Sequence, residues 1–271
     1  MRHAAILLLA VLLPAAAHAA PKAELWARWL AHDASSSATV DHSAWDAWTK
    51  TYVSTDAQGV NRVAYGRVDA AGRMALDGYI ARLTATRIGA YARPEQMAFW
   101  INLYNALTVR VILDHYPVES ILKISISPGF FSTGPWGKKL VTVEGERLSL
   151  DDIEHRILRP IWKDARIHYA VNCASVGCPN LRIGAYTGAD IDRQLDEAAR
   201  GHVNDPRGGT FDDGSFFVSS LYDWYADDFG ANETEILAHM MRYAKPDKAA
   251  RIRDYGRIDG YFYDWDLNAA R

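Results

Sequence analysis

The sequence predicts an α+β fold: a mostly helical single domain with a small antiparallel sheet built from hairpins. Two observations carry this. Segments with helical apolar spacing outnumber strand-like ones, and the strand-like runs pair around short turns rather than alternating with helices. A third bounds the size. Residues 20–271 can build one substantial core, and apolar residues make up 49% of the chain, with 9 Trp and 14 Tyr to fill it. No repeat, heptad run or long linker divides it.

Residues 1–19 are expected to be a signal peptide. Met1-Arg2-His3 is a short basic start, residues 4–16 are apolar, and Ala17-His18-Ala19 is a small-x-small cleavage site. The apolar run is short for a membrane span and is broken by Pro14. A periplasmic or secreted protein follows, with no stable membrane insertion after cleavage. Cleavage removes Arg2 and no acid, leaving 29 basic against 33 acidic residues, a net charge of −4. That mixed, mildly acidic balance lacks the basic footprint of a nucleic-acid binder.

In order, residues 22–32 read as a short helix, 43–52 as a second carrying Trp45, Trp48 and Tyr52, and 59–61 as a turn. Residues 72–90 read as a third. Pro94 opens the clearest helix, running to about His115, with Glu95 at its positive end and Pro117 beyond its stop. Its sequence is apolar on nearly all sides, so it lies in the centre of the fold. Asn102 and Asn105 stand out there, and buried amides need partners; pinning a loop or contacting a substrate are the two readings. Residues 125–139, rich in Gly and Pro with Phe130, Phe131 and Trp136, read as a loop, packed down or serving as a lid. A hairpin turning at Glu144-Gly145 follows, then a capped helix from Ser149-x-x-Asp152 to Pro160. Residues 167–172 read as a strand, 188–204 as a helix and 211–219 as a second hairpin. One helix from about Ser220 to Gly230, another from Asn232 and a final strand from Gly260 complete the chain.

Residues 149–179 hold the chemistry: Glu154, His155, His168, Asn172 and the only two cysteines, Cys173 and Cys178. At 100° per residue Leu150, Ile153 and Ile157 define an apolar face, with Glu154 inside its arc and His155 to one side. A carboxylate there is either salt-bridged, to Arg110, Arg159 or Arg166, or acts as an acid, a base or the group that orients a histidine. In the expected strand His168 and Asn172 face away from Ile167, Tyr169 and Val171, and alternation puts Cys173 with the apolar set. Three readings of the cysteines stay open. An exported pair forms a disulfide, worth roughly 2 kcal/mol by loop entropy. Cys173 is alternatively a thiolate nucleophile. A zinc set of Cys173, Cys178, His155 and His168 is the third, although its spacing matches no familiar zinc pattern.

Four separated stretches, AFWINLYNALTVRVIL, LSLDDIEHRILRP, IHYAVNCASVGCPNLR and YDWDLN, resemble the domain of unknown function 547 family. The resemblance spans about residues 60–265 and leaves 20–59 as an N-terminal helical extension packed on the domain of residues 60–271. The family is similar in its Asn-containing buried helix, its Ile-Glu-His helix and its Asn-Cys turn. It implies no activity. By residue type alone the set also resembles papain-like and transglutaminase-like thiol enzymes, whose Cys opens a long central helix ahead of the His; here Asn102 stands in that helix and Cys173 follows His155.

Two functions are expected from these residues. One is a thiol-dependent hydrolase or acyltransferase on a small-molecule or peptide (amide-like) substrate. In it Cys173, His155, Glu154 and Asn172 are catalytic, Asn102, Asn105, His168 and Trp136 contact substrate, and neither metal nor cofactor is needed. The other is a non-enzymatic binding or assembly module, with a Cys173–Cys178 disulfide and the aromatic loop around Phe130 and Trp136 against a ligand or partner.

Overall fold

A computed structural model of the chain describes residues 21–129 and 132–270. The expected signal peptide, and Phe130 and Phe131, lie outside the described residues. The segment expected as a helix over 22–32 is extended except for one 3-10 turn, Ala27–Leu30. The first regular elements are α1 (Ser43–Tyr52), the paired strands β1 (Val53–Thr55) and β2 (Asn61–Val63), and α2 (Ala70–Thr84), capped by Asp69. The third expected helix therefore starts earlier and stops earlier than 72–90; residues 88–90 are a separate 3-10 turn.

Helix α3 (Arg93–His115) is the central element, buried from Glu95 to Val109. Its lack of a polar face is explained by its neighbours: α2, the segment after Ser149 and the loop before residue 191 all pack around it. Hairpin β3 (Val141–Val143) and β4 (Glu146–Leu148) turns through Glu144 and Gly145, both at positive φ, the geometry that suits a two-residue hairpin. Ser149 and Asp152 then form a reciprocal cap: Ser149 N–H and Oγ donate to Asp152 Oδ2 at 2.8 and 2.7 Å, and Asp152 N–H donates to Ser149 Oγ at 3.2 Å.

The helix that follows is not the expected one. It winds as a π-helix over Asp152–Leu158 and continues as α4 (Arg159–Trp162), past Pro160. Arg159 N–H bonds Glu154 O, an i→i+5 link. Pro160 has no N–H, so the carbonyls of His155 and Arg156 lose their helical donor. The N-terminal segment replaces it: Glu24 N–H donates to His155 O at 2.9 Å and Trp26 N–H to Arg156 O at 3.0 Å.

Residues 167–172, expected as a strand, form a 3-10 helix over Ala165–Tyr169 and then a turn, so the alternation argument for His168 and Cys173 does not apply. Helix α5 (Ile191–Asn204) matches its expectation, as does hairpin β5 (Gly209–Asp212) and β6 (Ser215–Ser219). The stretch to Gly230 is two short helices, α6 (Leu221–Trp224) and α7 (Ala226–Phe229), and α8 (Glu233–Tyr243) begins on Asn232 as its cap. Helix α9 (Pro246–Tyr255) has no counterpart in the sequence reading. The last strand, β7 (Gly260–Phe262), pairs with β6 in parallel. Among the described residues the strands thus form three small sheets rather than one, two of them plain hairpins and the third with this parallel edge. The architecture remains a mostly helical α+β domain. A large apolar cluster surrounds α3, and a smaller one lies among α5, β6, α8 and α9.

Candidate functional site

Between the two apolar clusters sits a buried polar network. The i→i+5 winding adds a residue per turn, so the successive side chains of Glu154 and His155 are both buried, at 5% and 4% exposure. The 3-10 helix delivers His168, also buried, and α7 delivers Asp228. His168 Nε2 lies 2.7 Å from Asp228 Oδ2, and its Nδ1 faces Glu154 Oε1 at 3.6 Å. Arg159 binds Asp228 Oδ2 at 2.5 Å and donates to His155 Nδ1 at 3.0 Å. The His155 Nε2 side faces Asp151 at 3.6 Å. Tyr225 stacks on His168 with centroids 3.9 Å apart and lies under the Arg159 guanidinium.

The electrostatics follow from burial against pairing. Burial pushes the Glu154 carboxyl up, but the facing His155 and His168 rings and Arg159 outweigh it and hold it near pH 2. Asp228 is held at about 2 in the same way by His168 and Arg159. Burial lowers His155 despite Glu154 beside it. Asp151 goes the other way: burial, then the charges of Glu154 and Asp152, raise it to about 6. Of the salt-bridge partners weighed for Glu154, Arg159 is in the network; Arg110 bonds Leu140 O and Arg166 bonds Asp164 and Asp196.

The cysteines lie in the turn after the 3-10 helix and are joined to each other in a disulfide. Asn172 organises that turn: its Oδ1 accepts from Ala174 N–H and its Nδ2 donates to Pro179 O, both at 2.8 Å. Tyr263 Oη lies 3.0 Å from Cys173 Sγ and 3.1 Å from Cys178 Sγ, and Ser175 Oγ lies 3.1 Å from Cys173 Sγ. Among the described residues no hydrogen bond joins a histidine to either sulfur. The turn is closed from behind by the C-terminal segment, where Gly177 N–H bonds Asp264 O and Val176 N–H bonds Asp266 O, each at 2.8 Å.

Asn102 and Asn105 both clamp loop backbone. Asn102 donates to Tyr186 O at 2.8 Å and accepts from Tyr186 N–H at 3.0 Å. Asn105 donates to Ala170 O at 2.9 Å and accepts from Asn172 N–H at 2.8 Å, fixing the start of the cysteine turn. Trp136 is part-buried, its carbonyl taking the Asp151 N–H at 3.1 Å. It meets Trp265 edge-on at 6.0 Å, and Trp265, Trp224 and Tyr263 pack together at 4.7–5.5 Å. Part-exposed aromatic rings thus reach from Trp136 to the hydroxyl that touches both sulfurs.

The structure therefore gathers Glu154, His155 and His168 into one network and Asn172 and Cys173 into one turn, which Asn105 clamps from α3, while Asn102, one helical turn away on α3, clamps a different loop. Sequence reasoning missed Asp151, Arg159 as a shared hub, Tyr225, Asp228 and Tyr263. The terminal YDWDLN motif pointed toward Tyr263 and Trp265; nothing local marked Asp228, sixty residues from His168. Among the described residues no three His, Cys, Asp or Glu side chains are grouped to hold a metal ion, and no helix is long and apolar enough to cross a membrane.

The family described as "Protein of unknown function, DUF547" matches residues 88–203. That segment belongs to the DUF547 family. It holds α3, the π-helix, the His168 helix and the cysteine turn, while Asp228, Tyr263 and the terminal YDWDLN motif lie outside the matched DUF547 span. No curated protein and no solved structure matches the chain.

Proposed function

We propose that this DUF547 protein is an exported, non-enzymatic binding or assembly module, braced by the Cys173–Cys178 disulfide and presenting Trp136, Trp224, Tyr263 and Trp265 to a ligand or partner. The observation that carries it is the state of the sulfurs: they are bonded to each other, and both nitrogens of His155 face other groups, Arg159 and Asp151. A thiolate nucleophile needs a free sulfur and a base within reach. A disulfide suits an oxidising compartment, which agrees with an export signal in residues 1–19.

A second reading is favoured by the charged network beside the disulfide. Charges are seldom buried for stability alone, and π-turns concentrate at working sites. In it Cys173, once reduced, is the nucleophile of a hydrolase or acyltransferase, His155 the base, and Glu154 and Asn172 orient them; Asn102, Asn105, His168 and Trp136 contact the substrate. Alkylation of the native protein with iodoacetamide, read by intact mass, separates the two. The binding reading expects no adduct until a reductant is added. Rapid modification of Cys173 without reductant, with a depressed thiol pKa, overturns it in favour of the enzyme.

A further inference from the structure

Donors ring the Cys173–Cys178 disulfide that its sulfurs accept poorly. Tyr263 Oη lies 3.0 Å from Cys173 Sγ and 3.1 Å from Cys178 Sγ, Ser175 Oγ lies 3.1 Å from Cys173 Sγ, and the two hydroxyls are 3.0 Å apart. Among the described residues these are the only partners of either hydroxyl. One hydroxyl can donate to the other, so one proton is always left with a sulfur as its protein acceptor. The Cys173 N–H points the same way, 3.0 Å from Cys178 Sγ. A disulfide sulfur is a weak acceptor, whereas a thiolate takes such donors as charge-assisted hydrogen bonds. The set fits a reduced pair better than an oxidised one.

The two cysteines also differ in access: Cys178 is 3% exposed, while Cys173 is half-buried. The turn is held by contacts other than the bond itself. Asn172 holds Ala174 N–H and Pro179 O, Asn105 holds Asn172 N–H, and Arg207 holds the carbonyls of Val176 and Cys178. These contacts keep the thiols side by side after reduction, so the bond can close again. Ala174, between Cys173 and Ser175, sits at φ 60°, a left-handed conformation that costs a non-glycine residue energy and that clusters at working sites. Beside the sulfurs, the Tyr263 ring packs on Trp224 and Trp265 at 4.8 and 4.7 Å. Those part-exposed rings suit the apolar flanks of a cysteine in a polypeptide.

We propose that Cys173–Cys178 is a thiol–disulfide exchange site whose partner is a polypeptide carrying a reduced cysteine pair. An incoming thiolate attacks Cys173 Sγ, the half-buried side of the bond. The Cys173–Cys178 bond breaks, a new bond joins Cys173 to the partner's sulfur, and the electron pair leaves on Cys178, where the Cys173 N–H and the Tyr263 hydroxyl receive it. The partner's second thiolate then attacks its own bonded sulfur and displaces Cys173. The partner's dithiol has lost two electrons and become a disulfide, and Cys173 and Cys178 end as thiols with the two protons it released. One dithiol is oxidised per chain, without turnover. This deepens the binding reading and rests on it for the oxidised resting state. Alkylation without reductant reports that state; exchange starts from protein already shown to be oxidised, so the two fail separately.

The test mixes oxidised protein at pH 7 with reduced glutathione and, separately, with a synthetic peptide carrying a reduced cysteine pair, and maps the acid-quenched products by mass. The first mixed disulfide forms on Cys173, and the peptide emerges oxidised while the protein gains both thiols. Glutathione reacts about ten-fold faster with the folded protein than with the same chain in urea, because a stabilised thiolate leaves faster. Tyr263→Phe keeps the ring and slows exchange about ten-fold, the weight of one hydrogen bond to a charged group. A rate in the folded protein equal to or below that in urea, as for a purely structural disulfide, overturns the proposal. First attack on Cys178, a peptide recovered unoxidised, or an unchanged rate in a folded Tyr263→Phe protein does the same.

Discussion

At the scale of residues, Glu154 is the charge on which the buried network turns. Replacing it by Gln takes away the anion that faces the His155 and His168 rings, while Arg159 and His168 keep Asp228, and removing one partner of a buried ionic set costs about 3–5 kcal/mol. The expected outcome for Glu154→Gln is a Tm lower by roughly 6–20 °C for a domain of this size, measured by calorimetry at pH 7. The pH dependence follows with a definite sign. Glu154 and Asp228 are both held near 2 in the folded protein, below their ordinary 4.5 and 3.8. The unfolded chain therefore binds more protons between those values, so their stabilisation is complete above about pH 4.5 and is lost as pH falls toward 2. Glu154→Gln should flatten that acid limb. Asp151 behaves oppositely. Its carboxyl is raised to about 6, so the folded state is penalised above that pH and not below 3.8. Asp151→Asn should raise Tm at pH 7 and leave it unchanged at pH 3.5; equal effects at both would remove the burial argument for this residue.

At the scale of elements, two close fits hold the site in place. The first is the docking of residues 24–26 onto the carbonyls that Pro160 leaves free. Pro160→Ala restores a donor that competes for His155 O, so amide exchange of Glu24 and Trp26 should accelerate while that of α3 is unchanged. The second is Gly177, where a Cβ would stand 2.7 Å from Asp264 N and 2.9 Å from Asp264 O. Backbone cannot yield there as a side chain would, so Gly177→Ala should cost about 1–3 kcal/mol, the range for overpacking, seen as a lower denaturation midpoint. These fits also show what was legible beforehand. The all-apolar surround of α3, the Glu144-Gly145 turn and the helix start near Asn232 are local signals, and each element they announce is present; the Ser149 cap is present too, but the helix it opens winds as a π-helix. The π-helix was not legible, because apolar spacing assumes α winding and the cause, donors arriving from residues 24–26, is remote in sequence. That single change buried His155, which α phasing had set at the flank. The 167–172 strand failed for a related reason: six alternating residues cannot distinguish a strand from a 3-10 turn whose partners are on α3 and α7. Helix α9 escaped notice because much of its surface is charged, leaving only Ile252 fully buried.

At the scale of the molecule, the polar network packs against both apolar clusters, and the Tyr263 hydroxyl that touches both sulfurs feels the Glu154 charge. Asn105 fixes the cysteine turn from α3, Arg207 from the far side and residues 264–268 from behind. Each of those contacts comes from a different part of the chain, so the turn ties the DUF547 segment to the C-terminal portion that the family match does not cover. The disulfide is the covalent member of this set. If it is a brace, as proposed, its removal must be felt by the whole fold and not just by the turn. The most direct measurement is thermal unfolding of the protein with and without a reductant, with alkylation confirming complete reduction. Closing so short a loop contributes roughly 2 kcal/mol, so reduction should lower Tm by about 4–8 °C in one cooperative transition. An unchanged Tm on full reduction would contradict the structural role of Cys173–Cys178 and return Cys173 to the enzymatic reading.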